Sequence, residues 1–326
     1  MVSNLPIDLP LPSNATSLMQ HLQRLVGVEH YRWWCGGMIR LERFPALLNK
    51  FCERYPINRS TRQRTYDRSR GRAAMHLIVY PSTHEPCDWL RTESVRNEVH
   101  DGVHDACLTT HTRAVPLERR EGTELLWWLV STEGKGGLAD PGSPDAHVAR
   151  DAMGADAHLA FRDYVLLYAT KKEPRSIRTT RSGHTVAVFK DVSTWTWQMR
   201  RPVVAELRAL VDRHCERLEY GAESSDGRPG WGLRGLLEFQ RQRPLFSGVR
   251  HQVYDLHRYA EDAWRDRRRA WCAAHPDLAK RYGDYAGQLR PLKAIVREHL
   301  PKMVRLKVYG DAPVKVSDLL RIADSS

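Results

Sequence analysis

Lys171, Lys172, Arg175, Arg178 and Arg181 lie between two apolar runs, Tyr164–Thr170 and Thr185–Phe189, with Glu173 the one acid among them. Lys190, Trp195, Trp197, Arg200 and Arg201 follow directly. Cations neutralise the phosphates of a nucleic acid and aromatic faces accept its bases, so this combination suits a polyanion that carries stackable rings. Edge protection of a strand also uses Lys and Arg, but it needs fewer cations than stand here. Trp195 and Trp197 are two apart and share a face on a strand but diverge at a helix start. Core packing at a strand–helix junction is the ordinary use of such residues, and a stacking role stays open for one of them.

Two further basic runs extend the pattern. Between Arg40 and Arg72 ten Arg and Lys, including Arg59, Arg62, Arg64, Arg68 and Arg70, face Glu42, Glu53 and Asp67. Between Lys280 and Lys307 eight, including Lys293 and Arg297, face Asp284 and Glu298. Arg258, Arg265 and Arg269 fall on the polar side of a helical pattern between these runs and the chain's middle. The stretch Asp88–Asp163 is acidic or mixed, and such segregation predicts one positive surface shaped for phosphates.

Reactive residues are fewer and less ordered. Glu133-Gly134-Lys135 follows an apolar strand and resembles the (D/E)xK element of Mg²⁺-dependent nucleases, in which the carboxylate holds the metal and the lysine activates water. A second carboxylate is required, and Asp88 and Asp101 are the loose candidates; the surrounding glycines fit a mobile turn better than a rigid metal cup. A P-loop is excluded, because Leu129 and Gly136 stand where Gly and Ser or Thr are needed. His100, His104 and His111, with Asp101, Asp105 and Cys107, have partial zinc spacing, but Gly102 weakens the helix and HExxH is absent. His76 opens an apolar strand in the manner of rolling-circle nicking enzymes, yet Ala74 replaces the partner histidine, and Tyr282 or Tyr285 would have to converge on it. No nucleophile elbow, Rossmann fingerprint or recognisable catalytic cysteine occurs. The catalytic residues are therefore unknown, no metal site or cofactor is expected, and the nuclease stands as the enzymatic alternative.

The 326 residues carry a net charge of +12, with 41% hydrophobic residues, enough for a folded core. The six cysteines (Cys35, Cys52, Cys87, Cys107, Cys215 and Cys272) are scattered without CxxC, which reads as reduced thiols. The N-terminus lacks a basic region followed by an apolar run, and no stretch is long enough to span a membrane. A cytoplasmic protein with no membrane partner is expected.

The elements that must position these residues follow from periodicity. Residues 1–30 read as an extended lead-in and a short helix over Ser17–Val26. Leu41, Phe44, Leu47, Leu48 and Phe51 predict a helix over Met38–Tyr55, ended by Pro56, and residues 58–72 predict a loop or exposed helix end. His76–Tyr80 and Leu125–Ser131 read as buried strands, and the two runs of the basic hairpin supply two more. An α+β fold with a mostly antiparallel sheet and flanking helices is expected over 31–192. Residues 193–326 read as mainly helical and basic. Pro202 opens one helix, 221–230 is a linker, Val249–Ala263 is a second helix, Pro291 opens a third, and 303–310 is a late strand. The function expected is phosphate-backbone binding to DNA or RNA, within a larger nucleoprotein assembly or alone. The other alternative is an interaction subunit for an acidic protein partner.

Overall fold

The computed structural model describes residues 5–82, 90–93, 113–116, 124–179, 185–218, 232–277, 291–293 and 295–324. The His100–His111 segment, Cys87, Asp88, Arg181, the 221–230 linker, Tyr282 and Tyr285 lie outside them. The chain folds as two compact units, Met1–Ala157 with Leu306–Ser326, and His158–Arg305. The sheet and the basic hairpin, expected together over 31–192, therefore separate at residue 157, because the base of the hairpin packs on the later helices. The α+β class and the helical C-terminal region are as expected.

The first unit is built on an antiparallel sheet of β1 (Trp33–Arg40), β2 (Met75–Pro81), β5 (Glu124–Ser131) and β6 (Arg150–Asp151), in the order β2-β5-β1-β6. A separate pair, β3 (Leu90–Glu93) and β4 (Arg113–Pro116), is also antiparallel. β5 is almost continuously apolar and sits between two neighbours, as a strand covered on both faces must. The helix expected from Met38 begins later. Trp33–Arg40 is a strand, a turn of 3₁₀ helix covers Leu41–Arg43, and α2 spans Phe44–Arg54. Gly36 and Gly37 are the reason. They pair with Trp128 and Trp127 of β5, and a Cβ at Gly36 would lie 2.7 Å from the Trp127 carbonyl oxygen. Adjacent glycines also disfavour a helix.

Helix α1 (Ala15–Gly27) starts in a reciprocal cap: the Ser17 N–H donates to Asn14 Oδ1 at 2.8 Å, and the Asn14 N–H donates to Ser17 Oγ at 3.0 Å. It buries Leu18, Met19, Leu22, Leu25 and Val26. α2 buries Phe44, Leu48 and Phe51 against Leu77, Val79, Leu125 and Leu129. α3 (Thr61–Ser69), capped by Ser60 and Gln63, buries Asp67 and leaves its other side chains exposed or half-exposed. The late strand expected over 303–310 is irregular chain. It runs beside the N-terminal lead-in, with the Ser13 N–H donating to the Val308 carbonyl and the Leu11 N–H to that of Val314. The last helix, which adds Val316 and Leu319 to the same core, spans Val316–Asp324.

In the second unit β7 (Ala160–Phe161), β8 (Tyr164–Thr179) and β9 (Thr185–Met199) form an antiparallel sheet in that order. β7 pairs only with Val165 and Tyr164, so β8 and β9 continue as a two-stranded ribbon. Both strands are far longer than the apolar runs that signalled them, and the change to helix comes at Arg201 rather than Ser193. α4 (Arg201–Glu216) has Pro202 in its first turn and buries Leu207, Val211 and Cys215. α5 (Leu233–Gln240) and α6 (Ser247–Ala274) complete the layer. Val249, Val253, Leu256, Ala260 and Trp264 recur at helical spacing on the buried side of α6. A Cβ at Gly248 would lie 2.5 Å from the Trp197 carbonyl oxygen, so only glycine lets α6 approach β9. Gln252 closes the strand edge, accepting from the Met199 N–H at 2.7 Å and donating to its carbonyl at 3.1 Å. The helix expected after Pro291 is reduced to a 3₁₀ turn at Arg297–His299, since Pro301 follows it. Among the described residues no helix is long and apolar enough to cross a membrane.

Candidate nucleic-acid interface

The cations expected on a loop tip stand on paired strands. Lys171, Lys172, Arg175 and Arg178 belong to β8, and the ladder runs from Tyr164↔Met199 to Thr179↔Thr185, with one bulge between Pro174 and Ser176. From Lys171 to Thr179 the ribbon reaches about 26 Å at the usual rise per strand residue. Its register sorts the charges. Lys172 lies opposite Asp191 and Lys190 opposite Glu173, whereas Lys171 faces Val192 and Arg178 faces Val186. By register, residues of opposite charge are cross-strand neighbours at Lys172 and Asp191 and at Glu173 and Lys190.

The tryptophans divide. Trp197 is fully buried, with its ring 6.4 Å from that of Phe246, so it cannot offer a face to a base. Its assignment to the interface is corrected: it belongs to the core. Trp195, one pleat further out, is half-buried and packs at 5.3 Å against Tyr168 directly across the ladder. Tyr168 is 47% exposed. Sequence reading missed it, although Tyr164, Leu166 and Tyr168 alternate on one face of β8 and pass from buried to exposed.

Arg200 and Arg201 continue from β9 into the start of α4, and both are exposed. A groove of about 500 Å³ begins there, lined by Arg201, Arg208, Asp212 and Gln252 with small apolar residues. Asp212 is already engaged by the Tyr259 hydroxyl at 2.6 Å, and that hydrogen bond pushes the Tyr259 pKa upward. Arg208 lies 5.3 Å over the same ring. The groove is thus positive on balance, and Arg208 joins the candidates.

On α6 the expected contacts are largely compensated. Arg265 pairs with Asp262 at 2.8 Å and Glu261 at 3.8 Å, and Arg269 with Asp266 at 3.8 Å. Arg258 lies 5.9 Å over Tyr254. Lys293 is exposed and Arg297 half-buried in the 3₁₀ turn.

In the first unit Arg62, Arg68 and Arg70 are exposed on or just after α3. Arg70 lies 5.4 Å over Tyr66, a residue 58% exposed, and Arg68 donates to the Glu29 carbonyl at 3.2 Å. Arg59 reaches Asp67 at 3.9 Å. Arg64 differs from its neighbours. It is half-buried and turned towards His21, Tyr31, His76 and Tyr309.

The Glu133–Lys135 turn does not read as a metal cup. Glu133 pairs with Arg32 at 3.6 Å, and Asp151 holds the same guanidinium through two hydrogen bonds. The arginine fills the place a cation would take between two carboxylates, and its bond to Asp151 holds that carboxyl below its ordinary pKa. The turn is pinned rather than mobile. The Lys135 N–H donates to the Gly71 carbonyl, the Ala73 N–H donates to the Lys135 carbonyl, and Gly134 at φ +136° abuts the backbone of Arg72 and Ala73. Among the described residues no three His, Cys, Asp or Glu gather to hold a metal. Comparison with protein families, with characterised proteins and with solved structures finds no match to this chain.

Proposed function

We propose that this chain is a nucleic-acid-binding protein that grips the phosphate backbone with the β8–β9 ribbon. The observation that carries the reading is the ribbon itself, a two-stranded arm paired except at the bulge of Arg175, with Lys171, Lys172, Arg175 and Arg178 along one strand. A ribbon of this width enters a major groove or clamps a single strand. Arg200, Arg201 and Arg208 extend the positive track at its base, and Tyr168 with Trp195 offers an aromatic surface beside it. Arg62, Arg68 and Arg70 with Tyr66 form a second contact set on the other unit. Binding is chiefly electrostatic and weakens steeply with salt. The setting proposed is cytoplasmic, in keeping with free thiols at Cys35, Cys52, Cys215 and Cys272.

The test replaces Lys171, Lys172, Arg175, Arg178 and Arg181 with Ala and measures binding to single- and double-stranded DNA and RNA. At low salt affinity drops by about 100-fold, and the slope of log K against log salt shrinks by about 0.7–0.9 for each phosphate no longer neutralised. Unchanged affinity in a variant with a native far-UV spectrum removes the ribbon. Tight retention of an acidic protein with no nucleic-acid binding by the wild type would instead favour an interaction subunit.

A further inference from the structure

Five side chains that the ribbon does not use meet inside the first unit: His21 of α1, Tyr31 ahead of β1, Arg64 of α3, His76 of β2, and Tyr309 on the chain returning to the N-terminus. The rings of His21 and His76 meet edge to face at 5.6 Å, those of His21 and Tyr309 at 6.0 Å, and those of Tyr31 and His76 at 6.2 Å. Arg64 lies close enough to the Tyr31 hydroxyl to act on its pKa. Both ring nitrogens of His21 and Nε of Arg64 are sealed from solvent with no hydrogen-bond partner among the described residues. Buried polar atoms in a folded protein are nearly always paired, so three orphans in one cluster call for an occupant.

Charge selects its sign. Arg64 and Arg68 act on the cluster from α3 and Arg24 from α1, while the carboxylate of Glu29, which acts on Tyr31, is held by Arg24 at 3.0 Å. Burial first, then Arg24 and Arg64, lowers the His21 pKa to about 4. Burial, then Arg64 and His21, lowers that of His76 to about 3. Burial keeps the Tyr31 and Tyr309 hydroxyls protonated, so both can donate. A cation would meet repulsion from Arg64. An anion would gain a guanidinium, two phenol donors and two imidazoles that it favours in the protonated form.

We propose that the His21–His76–Tyr31–Arg64 cluster, with Tyr309 as its cover, binds a dianionic phosphate group. Enclosure suits a terminal phosphomonoester or free phosphate, because an internal phosphodiester needs two exits for its chain. Tyr309 lies against His21 from irregular chain anchored by the Leu306 N–H on Gln20 Oε1 at 2.8 Å and by the Val308 carbonyl, which accepts from the Ser13 N–H at 2.9 Å. A strand end as the source of that phosphate rests on the nucleic-acid reading; the anion site itself does not.

The full chain is titrated with inorganic phosphate while histidine ring NMR signals are followed, assigned with His21→Gln and His76→Gln. Binding of a 5′-phosphorylated oligonucleotide is compared with that of its 5′-hydroxyl twin. Expected are saturable shifts of both rings, and a phosphorylated strand held about tenfold tighter, a preference that Arg64→Gln abolishes, as loss of a charged hydrogen-bond donor requires. Should the histidine variants fail to fold, wild type and Arg64→Gln, altered only at a partly exposed helix position, carry the comparison. Ring shifts with equal affinity for the two strands assign the pocket to free phosphate and keep the anion site. Rings that respond neither to phosphate nor to the phosphorylated strand overturn the proposal, and if both strands still bind through the ribbon, the nucleic-acid reading stands without it.

Discussion

Helices α3 and α6 are both rich in arginine, yet they use it in opposite ways. α6 places Glu261, Asp262 and Asp266 three or four residues before Arg265 and Arg269, so each cation finds a carboxylate on its own helix surface. α3 has one acid, Asp67, and it is buried, its backbone carbonyl accepting from the N–H groups of Arg70 and Arg72. Arg62 and Arg70 are left with no carboxylate partner among the described residues, and Tyr66 stands exposed between them. The number of arginines says little about a phosphate contact; the spacing of acids along the same face says more. Exposed pairs of the α6 kind are individually weak and can be broken by a polyanion, but the exchange releases little free energy.

Replacing Arg62, Arg68 and Arg70 with Gln should produce the larger loss: affinity for nucleic acid falls by roughly tenfold to 100-fold at low salt, and the salt slope shrinks by about 0.7–0.9 per phosphate released. Filter binding across a salt series measures both, and circular dichroism checks that α3 persists. If affinity holds, exposure on a short helix is no better a guide than charge count, and the contrast collapses.

A second outcome concerns stability. His21 and His76 have folded pKa values of about 4 and about 3, below their ordinary 6.5, because they are buried beside Arg64. The unfolded chain therefore binds more protons than the folded one between these limits, and stability must fall as pH drops below about 6.5. Thermal unfolding from pH 7 to pH 4.5 should show a declining Tm, flattened in His76→Gln. A pH-independent Tm would mean that the two rings are not buried as described.

The smallest effect is expected on α6. Arg265→Gln with Arg269→Gln should alter nucleic-acid affinity by less than about threefold, since both cations already have partners. A drop as large as that of the α3 variant would show that these ion pairs open on binding.

Local pattern carries much of the fold. HLIVY and LLWWLV announce β2 and β5, and the apolar stripes of α1, α2, α4 and α6 are legible at helical spacing. Trp33–Arg40 is not, because Met38 and Leu41 extend the stripe of α2 backwards and conceal a strand whose glycines make sense only beside Trp127 and Trp128. The ribbon outruns its apolar signal, since Lys171–Thr179 has strand pairing without apolar alternation. The acids that compensate Arg265 and Arg269 stand three and four residues before them, so their pairing is legible from spacing alone.

Composition, periodicity and capping residues determine the fold class, most of the helices and the strong positive charge, because each is a property of neighbours along the chain. Tertiary structure alone decides that Trp197 is core while Trp195 is half-open, and that His21, His76 and Tyr309 share one buried cluster with Arg64. Those residues lie far apart in sequence, and contacts closed by long loops leave no periodic trace in the residues that make them.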